Sequence, residues 1–300
     1  MKEVWVIVNP SSGADKATEY VGLLFNSYLK DAPKVTILQT RQAFDATEFA
    51  KQAAQAGAEY LFIMGGDGTI NEGIQGLLAI EKSQRPILGI IPLGTTNNLA
   101  RMLNYPLNIK TLIENFDQSK PIEMDVASVN DKYFVSTLSG GTVPESVQNA
   151  DEDLKSTLGP LAYLIEGMRA LSDEKVQKFY LNMDGQDERV ELGMFVVGNS
   201  NMIFGIPNFF PEARIDDGKL HFMGLKETTS LEKISLVPNL LMNDTMESEH
   251  IVSASFEEAT IEVEGTHEHA VTIDGDVGPH YPIHVAIHPK EIKVLYFENE

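Results

Sequence analysis

Four short apolar runs, separated by stretches of helical periodicity, set the strongest limit on how this chain can fold. Val4–Val8, Val35–Leu38, Tyr60–Met64 and Ile87–Ile91 lack the regular polar alternation of a strand with one wet face. Such runs suit strands buried on both sides, as in a parallel sheet. Between the first two, Asp15–Lys30 places Ala17, Tyr20, Val21, Leu24, Phe25 and Tyr28 on one helical face. Asp45–Ala56 is rich in alanine and closed by Gly57, Thr69–Ile80 reads as a third helix, and helical turns follow Asn97. Parallel neighbours need crossovers of about this length, and such crossovers are right-handed. The expected first domain is a Rossmann-like parallel α/β structure over residues 1–126.

The rest of the 300 residues reads differently. Lys132–Leu138, Val190–Val197, Leu220–Leu225, Ala259–Glu264, Ala270–Ile273, Ile283–Ile287 and Ile292–Phe297 are short strand candidates, several of them alternating apolar with polar residues. One helix, Leu158–Leu171, interrupts them. The expectation is a β-sandwich domain over 127–300, with its last strand free to pack back on the first domain.

Charge supports the cut. Residues 1–126 carry 11 basic and 14 acidic side chains, and residues 127–300 carry 12 and 30, so the net charge of −21 belongs mostly to the second part. A chain this acidic repels phosphate backbones, which excludes nucleic acid as a partner. It is also repelled by anionic membrane surfaces unless its charge is unevenly placed. With no cysteine, there is no disulfide framework, thiolate metal site or cysteine nucleophile. The opening run MKEVWVIVNP is too short for a signal-peptide core or a membrane span. The longest uncharged stretch, Leu192–Pro211, mixes glycine, proline and asparagine and reads as a buried strand followed by a loop.

In a parallel α/β sheet, ligands bind at the carboxyl ends of the strands. Three unusual loops fall there. Asn9-Pro10-Ser11-Ser12-Gly13 offers hydroxyls and backbone N–H groups ahead of a helix, a workable phosphate cradle. Gly65-Gly66-Asp67-Gly68-Thr69 joins three glycines, which allow close backbone approach, to a carboxylate that would repel bare phosphate. Asp67 makes sense beside Mg²⁺, or as the organiser of a catalytic network. The dinucleotide fingerprint fails, because Asn71 stands where its third glycine would be, and there is no Walker A motif. Pro92-Leu93-Gly94-Thr95-Thr96-Asn97-Asn98-Leu99-Ala100-Arg101 is polar and uncharged up to Arg101; its Thr and Asn side chains could cap the next helix. Three such loops on one sheet edge point to a shared nucleotide site.

NPSSG, GGDGTINE and PLGTTNNLAR together resemble the catalytic domain of the diacylglycerol kinase family, in its soluble bacterial lipid-kinase branch. GGDGT is shared with NAD kinases and 6-phosphofructokinases, whereas the other two segments point to the lipid kinases. The likeness continues through Asp125, Gly159–Tyr163, PEARIDDGKL and IDGDVG, over nearly the whole chain. It implies ATP held by Asn9, Pro10, Ser11, Ser12 and Gly13, by Gly66, Asp67, Gly68, Thr69, Ile70, Asn71 and Glu72, and by Thr40 and Thr95. It implies an acidic, Mg²⁺-linked network with Asp67, Asp125, Asp274 and the position of Asn98. A second Mg²⁺ would rest on the Asp217 side chain and the carbonyls of Arg214 and Lys219, an oxygen-only set. Asp276 would be the catalytic base, taking a proton from the lipid hydroxyl as it attacks the γ-phosphate.

Two positions depart from the family pattern. Asn98 stands where the family usually has Asp, and Asp276 where it has Glu. The main expectation is an ATP- and Mg²⁺-dependent lipid kinase that converts diacylglycerol to phosphatidic acid. NAD kinase and a catalytically weak nucleotide- or lipid-binding protein are the alternatives. The reading implies a cytoplasmic protein in transient, peripheral contact with a membrane, and leaves a homodimer open. His267-Glu268-His269 and the pair His284 and His288 read as solvated histidines, not a metal cluster. Phe204, Ile206, Phe209 and Phe210 read as a buried loop, with a lipid-access rim as the alternative.

Overall fold

The computed structural model describes residues 3–13, 16–141, 176–203, 206–226, 250–265 and 270–298. The chain forms two compact units, residues 1–124 with 290–300, and residues 125–289.

In the first unit, strands β1 (Glu3–Val8), β2 (Lys34–Gln39), β3 (Tyr60–Gly65) and β4 (Ile87–Pro92) alternate with helices α1 (Ala17–Ser27), α2 (Asp45–Gln55) and α3 (Asp67–Leu78). The short helices α4 (Asn98–Met102) and α5 (Ile109–Glu114) follow. The parallel sheet runs β2-β1-β3-β4. A fifth parallel position is taken by the end of the last strand, where Val294 pairs with Leu88. Val6, Ile7, Phe62, Ile63, Leu88 and Ile90 are all buried, as covered parallel strands require. Edge strand β2 differs, since none of its residues is buried. Arg85 fastens the returning C-terminal segment. Its guanidinium donates to the Glu291 carbonyl at 2.8 Å, the Glu291 carboxylate at 3.0 Å and the Ile80 carbonyl at 2.7 Å.

Two further strands, β5 (Lys120–Val129) and β15 (Ile283–Tyr296), carry the chain from one unit into the other. The second unit is antiparallel. It contains β6 (Lys132–Phe134), β7 (Thr137–Gly141), β8 (Gln177–Met183), β9 (Gln186–Gly198), β10 (Leu220–Lys226), β11 (Ile251–Phe256), β12 (Glu258–Val263), β13 (Ala270–Ile273) and β14 (Asp276–His280). Long strand β9 serves two sets of neighbours: its first half pairs with β8, its second with β7 and β10. One core lies on the face of Leu138, Phe195, Val197 and Phe222, with Phe179, Ile261 and Val285. A second lies on the face of Met194, Val196 and Met223 and is covered by Ile203, Ile206, Phe209 and Phe210. Ile206, Phe209 and Phe210 are therefore core residues, not a lipid-access rim. Phe204, the Leu158–Leu171 helix and His267–His269 lie outside the described residues.

Two expected strands change form. Lys132–Leu138 is broken at Val135–Ser136, because their N–H groups go to the Asp274 carboxylate instead of a ladder. Ile283–Ile287 and Ile292–Phe297 merge into one strand, β15. Strands β5, β8, β11 and β14 have no counterpart in the sequence reading.

Candidate functional site

The three loops of the first unit are tied into one structure. Loop one meets loop two where Asn9 Nδ2 donates to Thr69 Oγ1 at 2.9 Å. Asn9 also shapes its own loop, since its Oδ1 accepts from the Ser11 N–H at 3.0 Å. Loop one meets loop three at Gly13, whose backbone has φ +73°; a Cβ there would lie 3.2 Å from Leu93. Loops two and three come closest at Gly66 and Gly94. A Cβ on Gly94 would sit 3.0 Å from the Gly66 Cα and 2.9 Å from Asn97 Oδ1, so only glycine allows this approach.

Asp67 is the clasp. Its Oδ2 accepts the Asn97 N–H and its Oδ1 the Asn98 N–H, each at 2.9 Å. The two donors begin helix α4, whose first N–H groups have no partner within the helix. Asp67 thus caps that helix from another loop, and the Thr and Asn side chains do not. Asn97, in the left-handed region at φ 53°, turns back on its own loop: its Oδ1 accepts from the Gly94 N–H at 2.9 Å and its Nδ2 donates to the Gly94 carbonyl at 3.0 Å. From sequence, Asn97 is a candidate cap of the next helix; in the structure it instead closes its own loop, in a conformation that asparagine tolerates well. Asn98 Oδ1 is buried without a hydrogen-bond partner among the described residues.

Helix α3 begins at Asp67, directly after β3, with Gly66 extended ahead of it. Its first N–H groups face the loops. Thr40 directly follows β2 beside loop one, its N–H donating to the Val8 carbonyl at 2.9 Å. Thr95 and Gly68 are exposed. Ile70 is of another kind: it is 1% exposed, and its N–H is bound to the Gly66 carbonyl at 3.1 Å, so its side chain serves the core. Glu72 lies further along α3, and its carbonyl accepts from Thr47 Oγ1 at 2.8 Å.

The second unit holds the remaining acids. Asp274 and Gly275 form the turn of a hairpin, both at positive φ, as a two-residue turn of this type demands. The Asp274 carboxylate accepts three backbone N–H groups, from Val135 at 3.0 Å, Ser136 at 2.9 Å and Thr137 at 2.8 Å. Asp274 is therefore a structural anchor, and it leaves Asp276 exposed at the start of β14. Asp125, 1% exposed, accepts the Gly218 N–H at 2.7 Å, while its own N–H donates to the Ile215 carbonyl at 2.8 Å. Asn199, fully buried, donates to the Asp125 carbonyl at 3.4 Å.

The same 214–219 turn is held from the other side by Asp217. Its Oδ1 accepts the Lys219 N–H and its Oδ2 the Arg214 N–H, each at 2.9 Å, and His221 Nε2 reaches Oδ2 at 3.0 Å. Burial alone would push the Asp217 carboxyl up, but the His221 hydrogen bond and the two backbone N–H groups outweigh it and hold it below the usual carboxylate range. His288 meets Ser128 Oγ at 2.8 Å. Among the described residues no three His, Asp or Glu side chains cluster as a metal centre, and no helix is long and apolar enough to cross a membrane.

Comparison with known proteins places this geometry. Residues 3–129 match the description "Diacylglycerol kinase catalytic domain", and residues 138–296 match "YegS C-terminal NAD kinase beta sandwich-like domain". The chain is 29% identical over 301 residues to a diacylglycerol kinase of Bacillus subtilis, covering 97% of this chain and 98% of that one. It is 31% identical over 217 residues to a diacylglycerol kinase of Staphylococcus saprophyticus, covering 72% and 70%. Its fold superposes on a solved diacylglycerol kinase of Bacillus anthracis with a TM-score of 0.76 at 25% identity, covering 98% and 96%.

Proposed function

We propose, for a chain that belongs to the diacylglycerol kinase catalytic-domain family and is a lipid kinase, that it transfers the γ-phosphoryl group of ATP to the free hydroxyl of diacylglycerol, with Mg²⁺, giving phosphatidic acid. The observation that carries the proposal is the single cradle made by loops one, two and three. It combines glycines that admit backbone approach, a helix N-terminus and a carboxylate clasp. Polyphosphate suits such a cradle, because N–H groups and the helix dipole favour negative charge there.

The same loops fit a hydrated Mg²⁺ on the nucleotide. Asp67 supplies charge, and the buried Asn98 Oδ1 is an oxygen without a donor. Oxygen ligands of this kind suit Mg²⁺, which when bound neutralises charge on the phosphates. Asn98 contributes no charge, so this chain leans on Asp67. In the proposed reaction the acceptor oxygen bonds to the γ-phosphorus, its proton passes to Asp276 and ADP leaves. Phosphoryl transfer asks the protein mainly for positioning and charge stabilisation, which a preformed cradle supplies. The reaction is assigned to the cytoplasmic membrane surface, reached peripherally.

The test is to incubate purified protein with γ-labelled ATP, Mg²⁺ and diacylglycerol in mixed micelles, with NAD as a parallel acceptor. Label in phosphatidic acid, lost on chelation, is the expected result. Label in NADP would replace the proposal with NAD kinase activity. ATP binding with label in neither would make the chain a binding protein.

A further inference from the structure

We infer that the 214–219 turn is locked by the His221 imidazole and not by a cation, so the second unit of this chain folds without bound metal. The inference stands apart from the nucleotide loops and goes beyond the proposed activity. A carboxylate only accepts, so the 3.0 Å contact to Asp217 Oδ2 fixes the His221 Nε2 as an N–H donor. On the other side of the ring, Nδ1 lies 3.2 Å from Ser255 Oγ. The ring is 6% exposed and packs against Phe210, with centroids 5.7 Å apart. It is thus held from three sides.

The donor count decides against an ion. A carboxylate offers about four lone-pair sites. On Asp217, three are turned to N–H groups, those of Arg214, Lys219 and His221. An ion seated on Oδ2 would face two N–H hydrogens. Mg²⁺ demands near-octahedral oxygen ligation and dehydrates reluctantly, so the one lone pair left is a poor start. The turn does not lack closure. The Gly218 N–H is bound to Asp125 at 2.7 Å, and the Ile215 carbonyl accepts from the Asp125 N–H. The imidazole Nε2–H supplies the positive end of a dipole where a cation would supply charge, and the Ser255 contact holds the ring in place.

The experiment is thermal unfolding without nucleotide, in EDTA and in Mg²⁺, at about 150 mM NaCl so that added Mg²⁺ does not act through screening. Wild type and His221→Gln, which keeps an N–H donor, are expected to melt at the same temperature in both media, within about 1 °C. His221→Leu is expected to melt lower and to gain a response to Mg²⁺. A wild-type rise of several degrees on adding Mg²⁺ that Asp217→Asn abolishes overturns the inference. A rise that survives Asp217→Asn arises elsewhere and supports it. A His221→Leu protein that melts like wild type in EDTA also overturns it. Should that variant fail to fold, a Mg²⁺-responsive His221→Gln protein does so instead.

Discussion

Asp67 and Asp276 are both carboxylates proposed for the reaction, yet their surroundings set different expectations. Asp67 is engaged by two backbone N–H groups and joins two loops. Replacing it with Ala leaves the Asn97 and Asn98 N–H groups without their acceptor, at a cost of about 1–3 kcal/mol each where water cannot reach them. Asp67→Ala should therefore lower Tm and weaken nucleotide binding together, measured by calorimetry and by titration with a fluorescent ATP analogue. Asp276 is exposed at the start of β14. Asp276→Ala should keep Tm and ATP affinity while kcat falls by about 10²–10⁴, the usual contribution of a general base. Unchanged turnover would remove it as the proton acceptor. Sequence motifs mark both acids as candidates but do not say how their surroundings differ. Asp67 meets partners 30 and 31 residues away, and Asp274 meets partners 137 to 139 residues away. Such pairings have no local signature. His221 combines a near partner with a distant one, with Asp217 four residues before it and Ser255 34 residues after.

At the scale of elements, the parallel strands were readable because burial on both faces leaves continuous apolar runs. Val4–Val8 and Tyr60–Met64 differ from the observed strands by a residue at one end. The antiparallel strands were half-readable. The polar first half of β9, Gln186–Glu191, carries no apolar pattern and is a strand because β8 pairs with it. Helix α2 begins in an unexpected way. Phe44 precedes it at φ 67°, a conformation suited to glycine, and its ring is 71% exposed. Strain of this kind costs about 1 kcal/mol or more, and its relief by glycine outweighs the smaller cost of glycine's greater freedom in the unfolded chain. Phe44→Gly should hold or raise Tm despite the loss of an aromatic ring, and a clear fall in Tm would show that the ring packs in solution. The next residue, Asp45, caps the turn: its Oδ2 accepts the Arg41 N–H at 2.7 Å and the Gln42 N–H at 3.1 Å. The Arg41 N–H is the main reason its carboxyl lies below the ordinary value. A depressed carboxyl stabilises the fold above the unfolded value and loses that effect as pH falls through the folded one. Wild type should be more stable than Asp45→Asn at neutral pH, with the gap closing below about pH 4. A gap unchanged at pH 3 would argue against the carboxylate as its source.

For the whole molecule the governing quantity is charge. The two parts of the sequence differ in kind, near neutral in residues 1–126 and strongly acidic beyond, and the net of −21 follows from composition alone. What composition does not disclose is how the acids divide. Asp125, Asp217 and Asp274 are bound to backbone N–H groups and shape turns, whereas Asp276 and many Glu side chains remain at the surface. Surface charges of one sign repel each other and repel an anionic bilayer, and both effects are screened over about 8–10 Å at physiological salt. Tm should therefore rise between low and moderate NaCl. An enzyme with this charge that works on a membrane lipid must overcome the same repulsion, either by apolar contact or through divalent ions that bridge carboxylate and phosphate. Sedimentation with anionic vesicles separates the two routes. Bridging predicts that binding at moderate salt falls several-fold when Mg²⁺ and Ca²⁺ are chelated, and that neutral phosphatidylcholine vesicles show no such fall. Binding that ignores chelation but persists at high salt would assign the membrane contact to apolar side chains, with Leu107, 51% exposed, and Val277, next to Asp276 and 78% exposed, as the first to replace by Ser.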